Sequence, residues 1–264
     1  MTGLDLPLRR RLHLAAHNLG AQLGVKGLKP VYVRRDGDHF IITTEGHEVA
    51  VAAALRWMMY RRGWENRLHR LSWQFGVGDR VQVGAGATVI DIGANVGEFS
   101  LRQAANGARV FAVEGDPRVF ACLSRNVAGH PDITPIPALL WKEETDLTFY
   151  SEPNKADSSV FRPDSAEAVR TITLPATTLD RLAEVHGIDR VDFLKCDAEG
   201  AEPEVIEGGR NLLMRTRQVA FDTGAERLGQ ETAADVERLL TGLGFTVTHE
   251  TRRRRKITFG HRAA

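Results

Sequence analysis

Cysteine is scarce in this chain. Its two thiols, Cys122 and Cys196, lie far apart in 264 residues. Two isolated thiols make neither a disulfide framework nor a cysteine-rich zinc site. A surplus of charge of one sign is also missing, with Lys+Arg 35 against Asp+Glu 34 and a formal net charge of +1. Wholesale binding along a nucleic-acid backbone usually needs a clear basic surplus, so that class is disfavoured, although a local basic patch is compatible with the composition. No apolar run approaches membrane-spanning length. The opening "MTGLDLPLRRRLHLAAHNLG" is too short and too interrupted in its apolar content to read as a cleavable signal. These absences predict a soluble, cytoplasmic, reducing context with no membrane span. Internal repeats and long low-complexity segments are absent too. What remains is a chain of 42% hydrophobic and 26% charged residues, enough to bury a sizeable core.

The residues up to about Val83 read as a mixed α+β extension, 1–83. "LRRRLHLAAHNLGAQLG" has the apolar spacing of an amphipathic helix with a basic face. "PVYVRRDGDHFIITTE" predicts two short strands around a "DGD" turn. "HEVAVAAALRWMMYRRGWENRLHRLSWQF" predicts one or two helices, in which Trp57, Met58, Met59 and Trp64 are expected to pack rather than touch a ligand. From Ala87 a strand–helix rhythm begins and fills a second unit, 84–264. "TVIDIG", "ARVFAVEG", "ITPIPALL", "RVDFLKCDAEG" and "RQVAFDTG" are five strands in this rhythm, and "AEPEVIEGGRNLL" reads as one helix. Asn106-Gly107 is a helix C-cap signal, and Asp116-Pro117 is an N-cap followed by a first-turn proline. "TDLTFYSE" and "AVRTITLPATTLDRLAE" bracket a polar loop, while "FTVTHE" and "KITFG" pair as a final hairpin. The alternation predicts an α/β fold with a mostly parallel sheet, helices on both faces and an antiparallel hairpin at the end. Ligands in such sheets bind beyond the carboxyl ends of the strands at the switch in strand order. That rule places Asp91–Gly97, Glu114, Ala138–Leu139, Asp197–Glu199 and Asp222 on one rim.

The glycine-rich turn "DIGANVG" follows the first of these strands. A P-loop is excluded, because Glu98 and Phe99 follow Gly97 where lysine and a hydroxyl residue are required. The dinucleotide fingerprint fails as well. Asn95 and Glu98 stand where its second and third glycines belong, and Glu98 would oppose a pyrophosphate at the helix N-terminus. S-adenosylmethionine carries no phosphate. Its carboxylate suits N–H groups of the turn formed by Gly93, Ala94, Asn95 and Gly97. Its ammonium suits an acid such as Asp91, directly or through water. Glu114 stands about twenty residues on, the spacing of an acid that accepts from ribose hydroxyls. Ala138, Leu139 and Asp197 complete the expected cofactor-binding set.

"VIDIGANVGEFSL", "VFAVEGDPRVFACLSRN", "TTLDRL" and "VDFLKCDAEGAEPEVIEGG" together resemble the FkbM-type S-adenosylmethionine-dependent methyltransferases, from about Ala87 to about Thr248. The glycine loop alone indicates class I methyltransferase; "LKCDAEGAE" makes the resemblance more specific. Gly115 and Ala198 differ from the pattern usual in that family. The resemblance implies a Rossmann-like class I methyltransferase fold, S-adenosylhomocysteine as product, and O-methylation of hydroxyl groups on sugars, glycans or other small acceptors.

A sugar hydroxyl is a weak nucleophile, so a general base or a metal helps its methylation. Asp197 is the first candidate for the reaction centre and Glu199 the second. Glu202 and Asp222 each divide evenly between structural and functional roles. A divalent metal is compatible with three acids near one rim, but their spacing does not require one. His186 and His249 qualify as bases only if the fold brings them to the rim, and a surface or capping role is favoured. Cys196 is expected to be a buried strand residue. "TRRRRK", Thr251 to Lys256, reads most simply as a solvated hairpin tip; its functional alternative is a grip on an anionic acceptor. Two other functions compete: a nucleic-acid methyltransferase, including one acting on RNA ribose, and a cofactor-binding domain without catalysis. "DAEG" after the fourth strand counts against methylation of base amines, and the intact "DIGANVG" counts against lost catalysis. The extension is expected to pack as a lid or subsidiary domain over the acceptor side, or to support a homodimer.

Overall fold

The computed structural model describes residues 6–151, 158–162 and 169–262. Most of the polar loop between the "TDLTFYSE" and "AVRTITLP" segments therefore lies outside the described residues. The first element among the described residues is helix α1 (Leu8–Gln22). Strands β1 (Tyr32–Asp36) and β2 (His39–Thr44) pair antiparallel around the "DGD" turn. The next segment corrects a helical expectation. "HEVAV" is strand β3 (His47–Val51), antiparallel to β2. Glu45 and Gly46 both take positive φ, 50° and 80°, which makes the two-residue turn that a tight hairpin needs. A 3-10 helix (Ala54–Tyr60) and helix α2 (Trp64–Gln74) follow.

The strand–helix rhythm then runs β4 (Thr88–Ile92), α3 (Glu98–Ala105), β5 (Arg109–Glu114), α4 (Pro117–Val127) and β6 (Ile133–Pro137). The Asp116 carboxylate caps α4 by accepting from the Arg118 N–H at 2.8 Å. "ITPIPALL" divides between two sheets. After β6 the chain turns into β7 (Leu139–Leu140), which joins β8 (Thr145–Ser151), β9 (Ser158–Ser159) and β10 (Arg170–Thr177) in a separate sheet of order β7-β10-β8-β9. Helix α5 (Leu179–His186) and strand β11 (Val191–Cys196) resume the rhythm. The next predicted helix is two short ones, α6 (Glu202–Glu207) and α7 (Arg210–Leu213). They part at Gly208, where a Cβ would lie 2.2 Å from the Trp141 carbonyl oxygen. Strand β12 (Thr216–Asp222), helix α8 (Ala233–Gly242) and the hairpin β13 (Thr246–Arg252) and β14 (Arg255–His261) complete the chain.

The main sheet has seven strands in the order β13-β14-β12-β11-β4-β5-β6. β14 runs antiparallel to both of its neighbours, and the pairs from β12 through β6 are all parallel. Alternation along each strand divides the core between the two faces. Ile90, Phe111, Leu194 and Phe221 pack with residues of α5–α8 on one face. Val89, Val110, Phe193 and Ala220 meet Phe99, Leu123 and Val127 of α3 and α4 on the other. Phe75 and Val81 join that second layer, and Val96, Val119 and Cys122 pack into the core of the N-terminal segment. Among the described residues no helix is long and apolar enough to cross a membrane.

β4 and β11 are adjacent although β5, β6 and the smaller sheet intervene in sequence, so strand order reverses between them. Their register sets Lys195 opposite Asp91. Both are buried, and the Lys195 ammonium lies 2.9 Å from the Asp91 carboxylate. The same ammonium donates to the carbonyls of Ile92 at 3.0 Å and Gly93 at 2.8 Å. Ser100 of α3 donates to the other Asp91 oxygen at 2.6 Å. Removing one member of a buried pair strands the other charge, at a cost of about 3–5 kcal/mol. Lys195→Met is accordingly expected to lose about that much stability in urea unfolding, whereas a surface change such as Lys26→Met should stay within about 0.5 kcal/mol. Equal midpoints for the two variants would contradict the assignment.

Candidate functional site

Beyond the carboxyl ends of β4, β5 and β11 lies a cavity of about 560 Å³. Its floor is the glycine turn. Gly93 has φ 67°, and a Cβ there would sit 2.0 Å from the Asp197 carbonyl oxygen, so two backbones meet where only glycine fits. Gly93, Ala94 and Asn95 line the cavity. The turn is tied inward. The Ala94 N–H donates to the Val113 carbonyl and the Gly97 N–H to the Ala94 carbonyl, each at 2.9 Å. The Asn95 N–H donates to the Glu114 carboxylate at 2.9 Å. This corrects the expectation that these three donors await a ligand carboxylate. The Asn95 side chain does carry an acceptor, Oδ1, that is buried without a hydrogen-bond partner.

Glu114 ends β5 and faces the cavity. One oxygen takes the Asn95 N–H and the other the Asp116 N–H at 2.8 Å, which leaves each with further acceptor capacity. Burial pushes its carboxyl up to about 7. Ala138 and Leu139 line the same wall beside Gly115. A Cβ on Gly115 would approach the Leu139 side chain to 3.3 Å. Two predicted contacts fall behind the wall. Asp91 is held by Lys195 and Ser100, outside the lining. Gly97 also lies outside it; at φ 94° it lets α3 start against Leu123, 2.8 Å from where its Cβ would be. Lys195 does line the cavity, because the sheet face opposite Leu194 and Cys196 is the face of the glycine turn.

Asp197, Ala198 and Glu199 form the opposite rim. Glu199 has φ 50° and Gly200 99°, and the Glu199 carbonyl accepts from the Ser159 hydroxyl at 2.8 Å. Glu202 braces this loop from beneath. Its buried carboxylate accepts from the N–H groups of Ala198 at 3.1 Å and Gly200 at 3.0 Å and from the Thr232 hydroxyl at 2.9 Å. Burial pushes it up to about 7 as well.

Asp197, Asp222 and Glu226 bring carboxylate oxygens within 4.8 Å of one another, a donor set that suits a hard divalent cation. A guanidinium from the chain itself occupies that position here. Arg255 reaches Asp222 and Glu226 at 2.6 Å each and Asp197 at 3.6 Å. Burial and mutual repulsion raise both Asp222 and Glu226 above the usual carboxylate range, against the pull of Arg255. The "TRRRRK" hairpin is thus more than a solvated tip. Arg252 is buried against Asp79 and Glu250, with its guanidinium 4.9 Å from the Trp73 ring centre, while Arg253, Arg254 and Arg255 line the cavity.

The N-terminal segment supplies the remaining wall through Arg56, Met59, Arg67, Arg70, Leu71 and Gln74. Met59, expected to pack, is among the lining residues. At the start of α3 the buried Glu98 accepts from the Tyr60 hydroxyl at 2.7 Å and from Arg67 at 2.9 Å. Burial opposes its ionisation, but Arg67, Arg56 and Tyr60 outweigh that and hold its carboxyl down to about 2. No histidine lines the cavity among the described residues. His249 bonds Thr258 and Glu237, His186 packs on Phe111, and Cys196 is buried in β11. Sequence reasoning missed Arg56, Arg67 and Arg70 and gave Arg253, Arg254 and Arg255 a ligand role only as the alternative to a solvated tip, because the wall's members come from three segments that no linear motif joins.

The family described as "Methyltransferase FkbM domain" matches residues 91–247. The chain is 31% identical over 208 residues to "31-O-demethyl-FK506 methyltransferase FkbM" of Streptomyces tacrolimicus, covering 64% of this chain and 76% of that protein. It is 29% identical over 196 residues to "Methyltransferase sdnD" of Sordaria araneosa, covering 61% and 74% respectively. Among solved structures it is similar to the "METTL16 MTase domain", with TM-score 0.50 and 15% identity over 96% of this chain and 92% of that one, a likeness of fold.

Two outcomes follow from the site's charges. The raised carboxyls of Glu114 and Glu202, at about 7, mean that the folded protein binds more protons than the unfolded chain between about pH 4.5 and about pH 7. Their contribution is therefore present at the acid end of that window and is lost as pH rises through about 7. Denaturant unfolding between about pH 5 and about pH 8 should show this falling term, and Glu114→Gln or Glu202→Gln should flatten it. A slope unaltered in both variants would contradict the assignment. Arg255→Met leaves three clustered carboxylates without their cation. It should lower the melting temperature and make stability responsive to added magnesium or manganese; a variant as stable as wild type without metal would contradict this account.

Proposed function

This chain belongs to the FkbM methyltransferase family, and we propose that it transfers the methyl group of S-adenosylmethionine to a hydroxyl oxygen on a sugar, glycan or small-molecule acceptor. The observation that carries the cofactor reading is Glu114. It is a buried carboxylate at the end of β5, fixed by two backbone N–H groups and with acceptor capacity to spare. That arrangement suits the paired hydroxyls of a ribose. The unpartnered Oδ1 of Asn95 suits an ammonium group beside it. The glycine turn lies directly against the Asp197 backbone, which suits a ligand without a pyrophosphate. S-adenosylmethionine supplies, when bound, a methyl group on a positively charged sulfonium.

The residues of the chain account for the rest. Asp197 stands on the rim opposite Glu114, with its N–H anchored to the Ile92 carbonyl at 3.1 Å. On this reading its side chain accepts the proton of an acceptor hydroxyl, and the Arg255 guanidinium 3.6 Å away supports that orientation. Glu199, on the next turn of the same loop, is the second candidate. Enclosure by α2 and the arginine hairpin aligns the acceptor and limits water, so that much of the rate comes from orientation. The name of the Streptomyces relative contains "31-O-demethyl", which supports oxygen as the atom that receives the methyl group. The N-terminal segment serves as the acceptor-side wall of this unit.

Calorimetry with S-adenosylhomocysteine tests the cofactor reading, and absence of binding would sink it. Asp197→Asn is expected to lower turnover by about a hundredfold or more, the usual contribution of a general base, while product affinity changes by less than about threefold. Full turnover in that variant would transfer the role to Glu199, to be checked with Glu199→Gln.

A further inference from the structure

We propose that the N-terminal segment furnishes this cavity with an oxyanion-binding site centred on Arg56, which takes a carboxylate or phosphate group of a bound ligand. The residue sits on the 3-10 helix and lines the cavity. It is only 7% exposed, and among the described residues its guanidinium has no hydrogen-bond or ion-pair partner. Its Nε is buried and unsatisfied. An arginine enclosed in this way is costly unless something completes its donors.

Three other cations that line the cavity have acidic partners. Arg67 is held by Glu98, Lys195 by Asp91, and Arg255 by Asp222, Glu226 and Asp197. Glu98 is the acid whose charge acts on Arg56, yet its Oε1 is already shared by Tyr60 and Arg67. Arg70 stands on the same wall with its Nε also buried and unpartnered. The guanidinium fork matches the two oxygens of a carboxylate or phosphate. The glycine turn sharpens the need for such a donor, because the N–H groups of Ala94, Asn95 and Gly97 are spent within the fold.

The oxyanion has two sources. One is the carboxylate of the cofactor's amino-acid end. The other is an acidic group on the acceptor, such as a uronate or a sugar phosphate. Naming these two rests on the methyl-transfer reading; the site itself does not. Calorimetry on the full chain separates them, with wild type, Arg56→Gln and Arg56→Lys each titrated with five probes. S-adenosylhomocysteine is compared with 5′-methylthioadenosine, which lacks the amino-acid end, and glucuronate and inorganic phosphate are compared with glucose.

The expected result is that Arg56→Gln weakens at least one oxyanion-bearing probe by about tenfold or more, while 5′-methylthioadenosine and glucose stay within about twofold. Arg56→Lys, which keeps the charge but loses the fork, should fall between the two. A loss confined to S-adenosylhomocysteine identifies the cofactor carboxylate; a loss confined to glucuronate or phosphate identifies the acceptor. Oxyanion probes bound equally by all three proteins would overturn the proposal. So would a loss shared equally with 5′-methylthioadenosine, which marks a packing defect. If neither variant folds, wild type decides alone: no oxyanion probe bound more tightly than its neutral counterpart overturns the site. Failure of wild type to bind S-adenosylhomocysteine, with glucuronate or phosphate still bound through Arg56, would leave the oxyanion site standing and remove the methyl-transfer reading.

Discussion

The buried pair of Lys195 and Asp91 is the constraint on which the site depends. It crosses between β4 and β11, the two strands where the order of the sheet reverses. One ammonium joins four groups: the Asp91 carboxylate, the carbonyls of Ile92 and Gly93, and the face of the Phe75 ring. The glycine turn is thereby held against the Asp197 backbone. An apolar pair could fill the same space, often without loss of stability. It could not fix the direction of two carbonyls at the mouth of the cavity.

A second layer of charge surrounds this floor, and each element is tied to it by a different side chain. Glu98 binds the start of α3 to Tyr60 and Arg67 of the N-terminal segment. Asn126 of α4 clasps Ala50 of β3 through both its amide and carbonyl, and also reaches the Val96 carbonyl in the glycine turn. Arg255 draws the final hairpin onto Asp222, Glu226 and Asp197. Three remote segments thus enclose one cavity, and the binding loops are positioned by the scaffold rather than by their own contacts.

The same charges divide the cavity chemically. On the side of the glycine turn the polar groups are mainly acceptors, Glu114 and the Asn95 Oδ1. On the N-terminal side they are mainly guanidinium groups, and Arg56 has no partner among the described residues. A ligand that carries hydroxyls and an ammonium at one end and an oxyanion elsewhere matches both walls. Rings of this kind favour particular ligands through the cost of leaving a buried charge unpaired.

Much was legible in the sequence because it is written in local rules. The β-branched run before "DIGANVG", the Asp116-Pro117 cap, the Asn106-Gly107 stop and the terminal hairpin each depend on neighbours in the chain. The position of Glu114 and of Asp197 and Glu199 follows from strand ends in a parallel sheet. Strand β3 was not legible, since "HEVAV" leads into a helical stretch without a break and only the turn at Glu45-Gly46 sets it apart. The break between α6 and α7 was equally hidden, because Gly208 answers to the distant Trp141 carbonyl. The sequence by itself determined the strand–helix alternation from Ala87 onward, the glycine turn and the acids at strand ends, all matters of spacing along the chain. Only the tertiary structure decided that Asp91 faces Lys195, that Arg255 fills the acid cluster and that Arg56 lines the cavity without a hydrogen-bond or ion-pair partner among the described residues. Those are meetings of residues far apart in sequence, and pairing, burial and the dielectric cost of a charge exist only once the chain has closed upon itself.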